Sequence, residues 1–291
     1  MRTGAWACLA LALSAGAVGA ASAQQAAPIA LDPSVARQGT ALVLAADESV
    51  LSSNGRSADS VTLALARGMR IDSAAPERLC SRGQAARSAC PASSRIGFGR
   101  FVLAVRGYTP EGGEAELTWY IDAYLGTPLR RGDAASVVLS GDLLGAGSVA
   151  ALLAPALGTS VPSTVTTVGR LIRRSSGAFG IELRFAKLPV KLDVAAPITA
   201  TPAQLELTLS AVRRVRQNFI RRTRVRTLSG YEIRTIRDHR LIGHHLLRTP
   251  RRCNGSWPSE LRVGFPGRVK RITSPIACSK TFSEVTAAAR G

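Results

Sequence analysis

Three acidic side chains and two tyrosines alternate along one short segment, where they could bind or hydrolyse a sugar. The set consists of Glu114, Glu116, Tyr120, Asp122 and Tyr124. On an extended strand, residues two apart project from the same side and lie about 6.5–7 Å apart. A carboxylate pair needs a similar separation to hydrolyse a glycoside. The sequence therefore leaves open a carbohydrate-active or hydrolytic site on this face, although acidic residues also occupy outward strand positions only to keep a surface hydrated.

A second group consists of seven arginines between Arg213 and Arg226, and it could bind anions. If this segment is a strand, Val215, Phe219 and Val225 face one way, and five arginines project from the other side. These five are Arg214, Arg216, Arg222, Arg224 and Arg226. Guanidinium groups bind phosphate through paired hydrogen bonds, so the row predicts a track for a repeating polyanion. A helix lying on a membrane surface and a merely solvated basic face are the two alternatives.

Other signatures of catalysis are weak. The sequence has no G-x-S-x-G motif, and nothing singles out one serine as a nucleophile. His239 and His245 would share a face of a strand while His244 points away, so two metal ligands could converge but a third would have to come from elsewhere. We therefore expect no catalytic residue, no metal and no cofactor, with the acidic face as the enzyme alternative.

The first residues are typical of an export signal. Arg2 precedes an apolar segment, Ala5 to Val18, and Ala21-Ser22-Ala23 has the small-x-small pattern of a signal peptidase site. The apolar segment is shorter than the roughly 20 residues that a spanning helix needs. We therefore predict a signal peptide over residues 1–23, no transmembrane segment after its removal, and a secreted or cell-wall-associated location.

Four cysteines follow the predicted signal, and an even number in an exported chain favours disulfides. They are Cys80, Cys90, Cys253 and Cys278. Four cysteines allow three connectivities, and the short loops favour Cys80–Cys90 with Cys253–Cys278. Each bridge would stabilise the fold by roughly 2–4 kcal/mol. A zinc site is the alternative, but the C-x-x-C spacing that often marks one is missing.

The dominant hydrophobic period after residue 39 is two, which is typical of strands with one buried face. About ten such segments, separated by turn residues and without regular helical crossovers, predict an all-β fold: an antiparallel β-sandwich of about ten strands, disulfide-bonded. Its predicted core includes Phe101, Leu103, Leu117, Trp119, Ile121, Ile181 and Leu183. Residues 24–39 are expected to be a flexible N-terminal tail, and 40–291 a single sandwich domain with a basic insertion around 213–245.

The positive charge is concentrated in that insertion and the sequence just after it. The whole chain carries a formal net charge of +19. Residues 24–212 contain 18 basic and 15 acidic residues, a net of +3, whereas residues 213–271 contain 17 basic and 3 acidic residues, a net of +14. A local excess of this size is an electrostatic argument about partners rather than about the fold.

Several sequence blocks follow one another in a fixed order: LARGMRID, a Cys and ACPASSRIGFG, then VGRLIRRSSGAFGIELRF, RTPRRCNGSWP and a final hairpin with its Cys. These blocks resemble uncharacterised exported β-sandwich proteins of high-GC soil actinobacteria. The resemblance covers roughly Ser60 to Lys280, and the chain departs from it between Arg213 and His245, where it is longer and more basic. It supports export, the β fold and disulfides, and it implies no activity, because the group has none assigned.

These features predict an exported, non-catalytic structural or binding protein of the extracellular space or cell wall. We expect its Arg-rich stretch to contact an anionic envelope polymer, with phospholipid headgroups as the other candidate partner. Nucleic acid is disfavoured, because no nucleic-acid-binding motif accompanies the arginines. The sequence does not specify the oligomeric state.

Overall fold

The structure is a computed structural model. It describes residues 27–53, 56–109, 111–144, 157–158, 160–189, 192, 194, 197–227 and 230–280. The predicted signal peptide, 1–23, lies outside the described residues. Two short α-helices are described, α1 (Glu48–Leu51) and α2 (Arg82–Ala86), with a 3-10 turn at Ala92–Ser94.

Almost all the remaining regular structure is β. In chain order the strands are β1 (Ile29–Asp32), β2 (Gly39–Asp47), β3 (Ser52–Ser53), β4 (Arg56–Ser57), β5 (Ser60–Ala66), β6 (Arg70–Ile71), β7 (Arg95–Arg106), β8 (Glu114–Gly126), β9 (Asp133–Leu143), β10 (Thr164–Arg173), β11 (Phe179–Phe185), β12 (Thr199–Leu209), β13 (Val212–Thr227), β14 (Gly230–His245), β15 (Leu247–Arg248), β16 (Ser256–Trp257), β17 (Ser259–Phe265), β18 (Arg268–Thr273) and β19 (Ile276–Ala277). The predicted all-β class is therefore confirmed.

One large antiparallel sheet holds 13 of these strands, in the order β18-β17-β5-β11-β10-β9-β8-β7-β12-β2-β15-β6, with β1 paired to β2. β5 lies near one end of this order and β6 at the other, yet only three residues, 67–69, separate them in the chain. The sheet must therefore bend until its ends approach each other. Its two layers face each other across one apolar core, so the fold is the predicted antiparallel β-sandwich.

β8 shows why the sequence folds in this way. Its inward positions are Ala115, Leu117, Trp119, Ile121, Ala123 and Leu125, and all but Ala115 are buried. The ring of Trp119 is fully buried 6.2 Å from that of Phe101, and its Nε1–H donates to the carbonyl of Pro162 at 3.1 Å. A buried indole needs such an acceptor. All seven predicted core residues lie in one buried cluster, so the predicted inward face is confirmed.

Both predicted disulfides are confirmed. Cys80–Cys90 has a Cα–Cα distance of 5.1 Å, and Cys253–Cys278 has one of 5.8 Å. The first closes a loop around α2, whose N-terminus is capped by Ser81, which accepts from the backbone N–H of Gln84. The second lies beside the short β16–β19 pair near the C-terminal end of the described chain.

The segment expected to be a flexible tail, 24–39, needs a correction from Ile29 onward. Ile29–Asp32 form β1, which pairs with β2, and Ile29 and Leu31 are buried. Val35 is also buried and is bridged to Ser279. The alternation of Ile29 and Leu31 is a strand signal that the surrounding Ala- and Pro-rich composition obscures. This segment therefore belongs to the sandwich.

Candidate anion-binding ribbon

The predicted basic insertion, 213–245, coincides with a two-stranded ribbon. β13 and β14 pair antiparallel from Val212↔His245 to Thr227↔Gly230, without a register shift. Each strand has 16 residues, which corresponds to about 50 Å of extended chain. Within the described residues these two strands pair only with each other. The expectation of a strand rather than a surface helix at Arg213–Arg226 is therefore confirmed.

Strand alternation and register divide the ribbon into two faces, because directly paired residues project from the same side. One side, which we call the arginine face, presents six exposed arginines: Arg214, Arg216, Arg222, Arg224, Arg226 and Arg237. The first five form the row expected from the sequence. Val215, Phe219 and Val225 lie on the opposite, second face, also as expected.

The two faces differ in their charge balance. The arginine face has 16 register positions, all of them described, and none of these residues is acidic. Both acidic residues of the ribbon, Glu232 and Asp238, occupy register positions of the second face, which also has four arginines. Glu232 forms an ion pair with Arg234 at 3.1 Å. Like charges without partners repel each other, so the arginine face is an unbalanced row that favours an external anion.

Neighbouring side chains hold part of the arginine face in place. The guanidinium of Arg224 lies over the ring of Tyr231, 4.4 Å from its centroid. This cation–π contact leaves the edge of the guanidinium and its N–H groups open to a ligand. On the same face Nδ1 of His239 lies 2.7 Å from Oδ1 of Asn218. These contacts reduce the number of conformations that an anion would have to fix on binding.

Large apolar side chains lie among the arginines on the same face. Their exposed fractions are 58–71%, and the residues are Val212, Ile220, Tyr231, Ile233 and Leu241. Each of the last four is directly paired across the strands with an arginine. The four pairs are Ile220↔Arg237, Arg226↔Tyr231, Arg224↔Ile233 and Arg216↔Leu241. The arginine face is thus both cationic and apolar along most of its length.

The root of the ribbon contacts the sandwich through His244 and His245. Nδ1 of His244 lies 2.8 Å from Oδ2 of Asp72, and the ring of His245 covers Gly39, where a Cβ would come within 2.1 Å of it. The backbone N–H of Leu246 donates to the carbonyl of Ala211 at 2.8 Å. The chain therefore leaves and re-enters the sandwich at neighbouring positions.

The electrostatics of Asp72 reflect this attachment. Partial burial raises the pKa of Asp72, but the contact with His244 and the hydrogen bond donated by the Ala74 N–H, together with the charge of Arg248, outweigh it. The net pKa therefore lies below its ordinary value. Asp72 thus links the sandwich to the ribbon as an ionised carboxylate at neutral pH.

An open cleft lies between the ribbon root and the sandwich. Its lining comes from Pro76, Glu77 and Arg95 to Phe98 on one side and from Ser210 to Arg214 on the other. Phe98 is 56% exposed there. Arg95 forms an ion pair with Asp122 at 2.6 Å. The cleft thus brings Arg214 of the arginine face near a further arginine and an exposed aromatic ring.

The acidic face of β8 lies on the solvent side of the sheet. Glu114 forms an ion pair with Arg106 at 2.8 Å, and Asp122 pairs with Arg95. Glu116 and Asp122 are six residues apart on one strand, about 20 Å, which is too far for one glycosidic centre. The Tyr124 hydroxyl lies 3.3 Å from Asp122, and burial raises the pKa of Tyr124. These contacts make the face a hydrated, charge-balanced surface, and none of them favours hydrolysis.

The three histidines have separate environments. His239 and His245 share a face, and His244 lies on the other, as expected for a strand. His239 contacts Asn218, His244 contacts Asp72, and His245 contacts Gly39. No group of three or more His, Cys, Asp or Glu side chains that could hold a metal ion occurs in the described ranges.

Sequence reasoning missed Arg237 and the apolar members of the arginine face. Arg237 lies on β14, so only the register, set by the Thr227↔Gly230 pair, places it opposite Ile220. The sequence did contain a usable signal, since Gly230 is followed by alternating residues that indicate a returning strand. Counting outward from that turn would have paired Ile220 with Arg237.

Comparison with protein-family models, curated proteins and solved structures gives no match for this chain. Within the part of the chain that the structure describes, no helix has the length and apolar character needed to cross a membrane.

Proposed function

We propose that this protein is an extracytoplasmic, non-catalytic binding protein that attaches to anionic material of the cell envelope through the arginine face of its ribbon. The observation that carries this proposal is the row of six exposed arginines with no acidic residue among them. Several arginines of the sandwich, by contrast, are matched with carboxylates, as Arg100, Arg106 and Arg170 are.

The spacing of the row suits a ligand with repeated phosphates. Arg222, Arg224 and Arg226 project from one side at intervals of about 7 Å along the strand. Each guanidinium can donate two parallel hydrogen bonds to one phosphate group. A linear envelope polymer that carries phosphate, as the sequence suggested, could therefore contact several arginines at once, and its bound counterions would be released to solution.

Export is part of the proposal and has two supports. The protein has two disulfides, and disulfides form and persist in oxidising compartments outside the cytoplasm. The signal-like sequence over residues 1–23 points in the same direction.

The test is retention of the protein on an immobilised polyphosphate matrix as salt is increased. Replacement of Arg222, Arg224 and Arg226 by Gln removes three charges from the arginine face. Replacement of Arg221, Arg234 and Arg240 by Gln removes the same number from the second face of the same ribbon and is the matched control. The slope of log affinity against log salt is negative. We expect the first variant to reduce the magnitude of this slope by about 2–3, and the control to change it by less than about 1.

Equal slopes for both variants would mean that net charge, and not the arginine face, controls retention. Absence of retention of the parent protein at low salt would refute the proposal altogether. Far-UV circular dichroism of both variants checks that the ribbon still forms.

A further inference from the structure

The exposed apolar side chains of the arginine face are not explained by a hydrophilic polyanion. Each of Ile220, Ile233 and Leu241 is 70–71% exposed in the free protein. A hydrophilic polymer would leave these three side chains in water after binding. Exposed apolar groups set among cations are typical of surfaces that bind lipid interfaces. We propose that the partner of the arginine face is an anionic lipid bilayer, with the ribbon lying flat in its headgroup region. This inference rests on the proposed function and names the material that is bound.

The cross-strand pairing suits this partner along the length of the ribbon. Ile220, Ile233 and Leu241 each lie directly opposite an arginine, namely Arg237, Arg224 and Arg216. Directly opposed side chains have Cβ atoms about 4.5–5.5 Å apart. A guanidinium can therefore reach a lipid phosphate while its apolar partner enters the boundary of the acyl chains, as long cationic side chains do at interfaces. Tyr231 adds an aromatic ring with a polar tip, a side chain favoured at that depth.

Backbone hydrogen bonding limits how deeply the ribbon can enter. Among the described residues each strand of the ribbon pairs on one side only, so the outer edge of each strand presents N–H and C=O groups without a partner in another described strand. In the hydrocarbon core such groups would cost several kcal/mol each, whereas water and headgroups can satisfy them at the interface. The ribbon is therefore expected to lie parallel to the bilayer surface and not to cross it.

The second face is suited to point away from the bilayer, toward water. It includes the Glu232–Arg234 ion pair, and its aliphatic residues Val215, Val225 and Ile242 are half-buried. Anionic lipid would attract the second face less than the arginine face, because two acidic residues offset part of the second face's positive charge. The ribbon therefore has one orientation that brings both its positive charge and its most exposed apolar groups to the bilayer.

Sedimentation with lipid vesicles tests the inference on the full mature chain. One vesicle type contains phosphatidylcholine alone, and the other contains phosphatidylcholine with about a quarter phosphatidylglycerol. The apolar variant carries Ile220→Ser, Ile233→Ser and Leu241→Ser, and its matched control on the second face carries Val215→Ser, Val225→Ser and Ile242→Ser. We expect the parent to bind only the anionic vesicles, and the apolar variant to bind them at least tenfold more weakly than the control.

Retention on polyphosphate separates this inference from the proposed function. The apolar variant should retain polyphosphate binding, whereas the Arg222, Arg224 and Arg226 to Gln variant should lose affinity for both polyphosphate and vesicles. If the apolar variant binds anionic vesicles as the parent does, the lipid inference is overturned while anion binding stands. Tighter binding of the parent to duplex DNA or to soluble wall polymer than to anionic vesicles would also overturn it.

A fluorescent reporter measures the depth of insertion. Trp119 and Trp257 are buried in the sandwich, so Tyr231→Trp adds an indole on the arginine face that lipid can reach. We expect brominated lipids to quench this added emission, and bromines near the headgroups to quench it more than bromines near the chain ends. Stronger quenching by the deep bromines, or no quenching with vesicles bound, would contradict a ribbon that lies in the interface.

Discussion

β8 and β13 are both long antiparallel strands whose side chains alternate strictly between two faces. β8 builds the core, whereas β13 forms half of an exposed ribbon. β8 pairs with β7 and β9, buries Trp119 on one side, and matches its outward Glu114 and Asp122 with arginines. In the described part of the chain β13 pairs with β14 alone, and both of its faces meet solvent. Alternation therefore identifies a strand in both cases, but only the partners of the strand decide whether it builds the core or presents a surface.

The charges of the two strands differ in the same way. Glu114 and Asp122 on β8 are neutralised by residues of the neighbouring strand, so they add to a stable, hydrated surface. The arginines of β13 repel each other along one face, and within the fold this repulsion brings no stability. This repulsion is the reason that the proposed function gives the arginine face an anionic partner.

The largest expected effect is on the stability of the sandwich. Trp119→Ala removes the largest fully buried side chain and its hydrogen bond to Pro162, so we expect the free energy of unfolding to fall by about 3–5 kcal/mol. Ile220→Ala is the counterpart on the ribbon and should change it by less than about 0.5 kcal/mol, because Ile220 is 71% exposed. Urea unfolding measures both, and similar losses would mean that the ribbon packs against more than its own partner strand.

A smaller effect is expected where the two regions meet. The folded-state pKa of Asp72 is lowered, so its stabilisation is present above the unfolded pKa of about 3.9 and is lost as pH falls through the folded pKa. Asp72→Asn should therefore destabilise the protein by about 1 kcal/mol at pH 5–7, since the pair is partly exposed.

The difference in unfolding free energy between the parent and Asp72→Asn should shrink toward zero as the pH falls through the lowered folded-state pKa of Asp72. Asp59→Asn is a control carboxylate away from the ribbon root. A constant difference across this pH range would show that the ionised carboxylate is not what links the ribbon to the sandwich.

The sequence was most informative where the relevant contacts are local. Alternation around Trp119 identified the inward face of β8, and short spacing identified Cys80–Cys90. It was less informative where distant strands meet, because nothing local shows that β5 and β6 lie near opposite ends of one curved sheet. The pairing of Ile220 with Arg237 likewise depends on register, and the buried Ile29 was hidden by a tail-like composition.

Replacing the ribbon by a short turn tests directly whether the ribbon is the binding element. The backbone N–H of Leu246 donates to the carbonyl of Ala211, so a two-residue Asn-Gly turn can join these positions in place of residues 212–245. We expect this shortened chain to keep the near-ultraviolet circular dichroism of the buried Trp119 and to lose retention on polyphosphate and on anionic vesicles. A folded shortened chain that is retained as strongly as the parent would contradict the claim that the ribbon is the binding element.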